Sequence, residues 1–265
     1  MALCYNLDGI GLGQLIKSQG QLVLLTIIKK RWKRYFSAWH RYILRQNYIF
    51  TDKHIYMIEK EIYIVRHGQT DLNAQGIVQG RGVNAPLNAL GNQQANAFYQ
   101  VYKHVPFDAF YSSSLLRAKQ TIEPFLKPGI PYFADPRLDE ISWGDMEGKA
   151  GFTDHSELFA ELIKEWKGGN VYYKFPGGES PFDLQQRQLS FIEDLKATPY
   201  KRILIATHGR FIRILMCTFT ETPLTEMDNF EHANLCLYKV DLLSNGNFKI
   251  AEHNNQAHLA ELTNK

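Results

Sequence analysis

The chain predicts an α/β fold, and three observations carry that prediction. Short β-branched and aromatic runs alternate with helical segments from about residue 57 to the end. One such run, residues 61–65, stops at Arg66-His67-Gly68-Gln69-Thr70. A second, residues 201–206, stops at Thr207-His208-Gly209 and passes straight into a helical pattern. In an α/β sheet the carboxyl ends of strands and the N-termini of helices converge where ligands bind. Two buried strands that both end in His-Gly therefore mark the place to look for chemistry.

At 265 residues and 45% hydrophobic, the chain is long enough for one large core, or one core plus an appendage. Cys4, Cys217 and Cys236 show no zinc-type spacing and no disulfide framework, which points to a reducing, cytoplasmic setting. The formal charge of +3 hides an asymmetry. Residues 1–56 carry nine Lys or Arg against two acids, a net of +7, and residues 57–265 carry 21 basic and 25 acidic residues, a net of −4. A mildly acidic domain argues against nucleic acid as its substrate, because such binding needs a basic surface.

Residues 1–56 read as a basic helical extension, separate from a domain at 57–265. The apolar run 22–28 is far shorter than the ~20 residues that span a bilayer. Its basic cluster follows the run, where an export signal would want it before. Trp32, Phe36, Trp39 and Ile43 recur at helical spacing with Lys30, Lys33, Arg34, Arg41 and Arg45 on the flanks and back. Three readings stay open for the extension. It is sequence outside a native chain that begins at Met57, a helix lying on an anionic membrane through residues 22–45, or a helix for a partner.

Within the domain, the glycine-punctuated stretch Gly76 to Gly82 is a loop whose Gln79 and Arg81 can face a cleft, beside Gly80. Asn88 or Gly91 opens a helix that runs to about His104, with His104 favoured at a helix C-terminus by the dipole. Residues 107–111 form a strand, and Ser112-Ser113-Ser114 leads into a helix carrying Arg117, Gln120 and Thr121. That transition suits an anion, although a lone helical arginine is more often solvated. Pro131-Tyr132-Phe133 is a short strand. Glu140 sits between apolar neighbours and a Trp143-Gly144 turn, which would partly desolvate it, as a proton donor at neutral pH requires. Asp145 and Glu147 read as surface acids. A helix falls at 156–166, and Tyr172 and Tyr173 are candidates for a cleft wall or for core cover. Ser180 caps a helix over 181–196, a helix spans 211–219, and strands fall at 235–242 and 248–254.

In order, Arg66-His67-Gly68-Gln69-Thr70, Ser112-Ser113 to Arg117, Gln120-Thr121, Glu140 and His208-Gly209 resemble the segments that define the histidine phosphatase superfamily, also called phosphoglycerate mutase-like. The resemblance covers essentially all of 57–265 and leaves 1–56 outside. It implies a three-layer α/β/α sandwich with a mostly parallel central sheet. It implies His67 as nucleophile, Glu140 as proton donor, and Arg66, Arg117 and His208 as phosphate-holding groups. Asn73 and Gln79 fall at its phosphate- and substrate-contacting offsets, with Gly80 and Gly209 beside the same groups. Mutases of the family carry Glu-Arg-His-Tyr-Gly at the acid. The run Glu140-Ile141-Ser142-Trp143-Gly144, followed by Met146-Glu147-Gly148, is instead similar to the phosphatase branch.

The implied reaction is hydrolysis of a small phosphorylated metabolite through a phosphohistidine, with no metal and no cofactor required. A mutase, a phosphoprotein phosphatase and a non-catalytic binding module are the alternatives. The chain is also open to forming a homo-oligomer.

Overall fold

The structure, a computed structural model, describes residues 48–51 and 54–263. The helical face at Trp32–Ile43 expected from the sequence, and the membrane contact through 22–45, lie outside the described residues. Within 48–57 the chain forms a hairpin. Strand β1 (Tyr48–Thr51) runs antiparallel to the start of β2 (His54–Arg66), with Tyr48 opposite Met57 and Thr51 opposite His54. The strand expected at 61–65 thus begins earlier, because the β-favouring Ile55 and Tyr56 pair with Phe50 and Ile49 of β1.

The compact unit that carries the site spans Glu59–Lys265. After β2 come α1 (Asp71–Ala74), α2 (Ala89–Tyr102), β3 (Ala109–Ser112), α3 (Leu116–Ile122) and β4 (Tyr132–Ala134). There follow α4 (Glu157–Lys167), α5 (Pro181–Ala197), β5 (Arg202–Thr207) and α6 (Gly209–Thr220). The hairpin β6 (Leu237–Leu243) and β7 (Phe248–Asn255) and the short α7 (Ala260–Thr263) close the chain. The central sheet has the order β4-β3-β5-β2-β6-β7. Strands β4, β3, β5 and β2 pair in parallel, and β6 with β7 is antiparallel.

Register in this sheet decides what meets at its carboxyl edge. Arg66 lies opposite Thr207, so His67 and His208 leave neighbouring strands side by side, and the His67 N–H donates to Thr207 O at 2.9 Å. Ser112 lies opposite Ala206, which brings Ser113 to the same edge. The strands read as continuous apolar runs because both faces are covered, as expected of parallel sheets. Ile62, Ile64, Ile203 and Ile205 face a core shared with α4, α5 and α6. Tyr63, Val65, Leu204 and Ala206 face the opposite core with α2 and α3. This is the α/β/α layering.

Most helix ends follow their caps. Asn88 accepts the Gly91 N–H at 2.9 Å, Ser156 that of Phe159 at 3.3 Å, and Ser180 that of Asp183 at 3.2 Å. Two boundaries differ from expectation. Helix α2 stops at Tyr102, which leaves His104 beyond its last turn. Helix α6 starts at Gly209 rather than 211, so His208 itself is the residue at its N-cap. Among the described residues no helix is long and apolar enough to cross a membrane.

Candidate active site

The His67 turn is fixed from several sides. His67 Nδ1 donates to Gly68 O at 2.7 Å, since a carbonyl can only accept. That tautomer leaves the lone pair on Nε2. The Gly68 N–H donates to Thr121 Oγ1 at 3.0 Å, and Thr121 Oγ1 donates to Arg117 O at 2.7 Å. Asn234 Nδ2 donates to His67 O at 3.0 Å. A Cβ on Gly68 would stand 2.6 Å from Gly91 O, so α2 can pack on this turn only against glycine. His67 is 3% exposed, and burial, helped by the Arg117 and Arg66 charges, holds its pKa well below the ordinary value.

Two guanidinium groups lie in the same electrostatic neighbourhood. Arg117, on the first turn of α3, is fully buried rather than solvated. Its Nη1 donates to Val83 O at 2.6 Å and its Nη2 to Gly80 O at 3.2 Å. Burial lowers its pKa to about 10, which still leaves it charged at neutral pH. Arg66 Nη1 donates to His232 Nδ1 at 3.1 Å. The Nε atoms of Arg66 and Arg117 are both buried with no hydrogen-bond partner among the described residues.

The His208 ring lies 5.1 Å from that of His67, centroid to centroid. Its Nε2 is 2.7 Å from Ser113 Oγ, and Ser113 Oγ donates to Asp139 Oδ1 at 2.7 Å. With that hydroxyl proton committed to Asp139, Ser113 accepts from His208 Nε2–H. His208 Nδ1 is buried and has no partner among the described residues. Burial, with Arg117 and His67 beside it, keeps this imidazole well below its ordinary pKa.

Glu140 is 7% exposed, as its apolar neighbours imply. Its Oε1 accepts from Ile141 N at 3.0 Å and Phe211 N at 2.9 Å, and its Oε2 from Arg210 N at 3.1 Å. The first turn of α6 thus supplies two of the three donors, a consequence of that helix starting early. Glu140 is also among the charges acting on both Arg66 and Arg117. From α5, Arg187 pins this segment through Asp139 O at 2.9 Å and Glu140 O at 3.3 Å.

The remaining candidates hold the walls. Asn73 Oδ1 accepts the Thr70 N–H at 3.2 Å and Asn234 Nδ2 at 3.4 Å, so its Nδ2 donors remain for a ligand. Gln79 Nε2 donates to Thr70 Oγ1 at 2.8 Å, and its buried Oε1 has no partner among the described residues. Gly80 contributes the carbonyl that Arg117 uses. Gly209 carries no side chain because His232 packs on it, with ring atoms 2.8–3.1 Å from where a Cβ would be. Arg81 turns to carboxylates, 3.3 Å from Glu179 and 3.8 Å from Asp139. Tyr173 covers core, and Tyr172 is exposed.

Glu147 corrects the reading as a surface acid. It accepts from Gly82 N at 2.6 Å and Trp143 N at 2.9 Å, and so ties the 79–82 loop to the Glu140 segment. A carboxylate with glycines on both sides of its loop was the available signal. Asp139, His232 and Asn234 gave none. They reach the site across long sequence separations.

The model of the histidine phosphatase superfamily (branch 1) matches residues 62–256. The chain belongs to that superfamily. It is 32% identical over 186 residues to a Hydrogenobacter thermophilus protein named phosphoserine phosphatase 2, covering 69% of this chain and 90% of the relative. It is 29% identical over 187 residues to a Shigella dysenteriae protein named phosphoglycerate mutase GpmB, covering 68% and 84%. The solved phosphoserine phosphatase of Entamoeba histolytica in complex with 3-phosphoglyceric acid superposes with a TM-score of 0.64 at 25% identity, covering 76% of this chain and 99% of that one.

Proposed function

We propose that the domain hydrolyses a small phosphomonoester in two steps, with His67 as the phosphoryl acceptor. One observation carries the reading. The His67 Nε2 lone pair is set free by the Nδ1–Gly68 bond, in a neighbourhood where the Arg66 and Arg117 Nε–H donors are buried with no partner among the described residues. A buried donor left unsatisfied costs roughly 1–3 kcal/mol. A phosphoryl group supplies acceptors for both guanidinium groups at once.

In the first step Nε2 forms a bond to phosphorus as the P–O bond of the ester breaks. Glu140 gives its proton to the leaving alkoxide. In the second step Glu140, now a carboxylate, takes a proton from water, whose oxygen displaces the phosphoryl group from His67. Oε1 already accepts two N–H bonds and Oε2 one, so Oε2 is the atom with room to carry the proton. Arg66 and Arg117 match the charge on the equatorial oxygens. Cys217 and Cys236, both unpaired and buried, support a reducing, cytoplasmic setting.

A phosphate-release screen over phosphoserine, phosphoglycerates, sugar phosphates and p-nitrophenyl phosphate tests the reading. Release from at least one is expected, and none from any refutes it. A relative named a mutase keeps phosphoryl transfer between hydroxyls as the second reading. It predicts interconversion of 2- and 3-phosphoglycerate faster than phosphate release.

A further inference from the structure

We infer that Arg187, working with Glu179, is a positioning residue for the proton-donating carboxyl group of Glu140. The inference rests on the phosphatase reading and adds to it the device that aims the acid.

Glu140 follows the 3-10 turn Pro136–Leu138 and lies in no helix or strand. Its carboxyl group is held from the α6 side by Arg210 N and Phe211 N. The backbone that carries the group needs a hold of its own, because carbonyls outside a ladder must find donors elsewhere. Arg187 supplies them from α5. Its Nη1 donates to Arg137 O at 2.8 Å and Asp139 O at 2.9 Å and reaches Pro136 O at 3.4 Å, and its Nη2 donates to Glu140 O at 3.3 Å.

The other edge of the same guanidinium goes to Glu179, with Nε 3.0 Å from Oε1 and Nη2 2.9 Å from Oε2. This two-point contact fixes the plane of the fork, which a lysine ammonium cannot reproduce. Glu179 also grips the far side of the acid. Its Oε2 accepts from Ser142 N at 3.0 Å, and its own N–H donates to Ser142 O at 2.8 Å. The chain before and after Glu140 therefore hangs on one ion pair, whose side chains are only 13% and 18% exposed. Arg187 and Arg81 meet two carboxylates, Glu179 and Asp139, so the hold adds no net positive charge beside a group that must carry a proton. With the carboxyl group held at α6 and the backbone at α5, Glu140 has one direction in which to deliver that proton.

The test compares kcat/KM of the full chain on two esters of similar size. One is p-nitrophenyl phosphate, whose phenolate departs without a proton, and the other is benzyl phosphate, whose alkoxide needs one. Arg187→Met should raise the ratio of the first to the second by about tenfold or more over the parent. Glu179→Gln should raise it less, in the same direction, and Arg187→Lys should behave like Arg187→Met. A lower folded fraction, or a weakened hold on the phosphoryl group, lowers both esters alike and cancels in the ratio. An unchanged ratio in Arg187→Met overturns the inference and leaves the phosphatase reading intact. If Arg187→Met does not fold, the ratio in Glu179→Gln decides alone. A parent that cleaves p-nitrophenyl phosphate but not benzyl phosphate also overturns it, since no aimed proton donor is then at work. If the parent releases phosphate from neither ester, the inference falls together with the reading it rests on.

Discussion

His208 Nε2 stands 2.7 Å from Ser113 Oγ, and that hydroxyl is itself oriented by Asp139. The second histidine therefore has a fixed tautomer, with Nδ1 as the only ring atom that can meet a ligand. A phosphoryl oxygen at Nδ1 needs a proton there, so anion binding should convert His208 to the imidazolium. A hydrogen bond to a charged group contributes roughly 1.5–3 kcal/mol. Ser113→Ala should lower kcat/KM by about 10- to 100-fold on that estimate, with Ser113→Thr recovering part. The acidic limb of the pH profile should move as well. An unchanged pH profile with lowered thermal stability would make Ser113 merely structural.

His67 and His208 are buried and neutral, and their folded pKa values lie well below the unfolded value. Above pH ~6.5 neither state protonates them, and they add no pH dependence. As pH falls below ~6.5 the unfolded chain binds protons that the folded chain refuses, so stability declines. Each contributes a slope of about 1.4 kcal/mol per pH unit. Urea unfolding of His67→Gln between pH 6.5 and 5 should show the slope reduced by about that amount relative to the parent. Identical slopes would mean that His67 is not buried neutral.

Thr121 joins the His67 turn to the Arg117 helix through a single hydroxyl. Thr121→Val keeps the shape and leaves the buried Gly68 N–H without an acceptor. The expected cost is about 1–3 kcal/mol in chemical denaturation, with a parallel loss of kcat as Nε2 loses its position. A stability change below about 0.5 kcal/mol would show that the turn is held by other contacts.

Glu147 holds the loop whose Gly80 carbonyl receives Arg117. Glu147→Ala releases Gly82 N and Trp143 N together, and the main effect should be a raised KM, because Arg117 loses a fixed carbonyl partner. A fall in kcat at unchanged KM would contradict this.

The two His-Gly strand ends were legible because a buried parallel strand is apolar throughout and stops abruptly where it meets a ligand edge. That made His67, His208 and Arg66 visible, and β2 with β5 followed in register. Arg117 was visible only as a candidate, since helical spacing does not show that Val83 and Gly80 supply acceptors in the interior. Glu147 was misread because composition cannot tell a solvated carboxylate from one that accepts loop N–H groups. His232 and Asn234 stayed hidden. Their partners Arg66 and His67 are 166 and 167 residues away, and pairing at that separation depends on how β6 enters the sheet.

The most direct measurement is acid-quenched turnover followed by peptide mass spectrometry under conditions that preserve phosphoramidates. A phosphoryl group on His67, formed within one turnover and lost as phosphate is released, is the predicted result. Phosphate release at full rate with His67 unmodified, or with the label on another residue, would contradict the account.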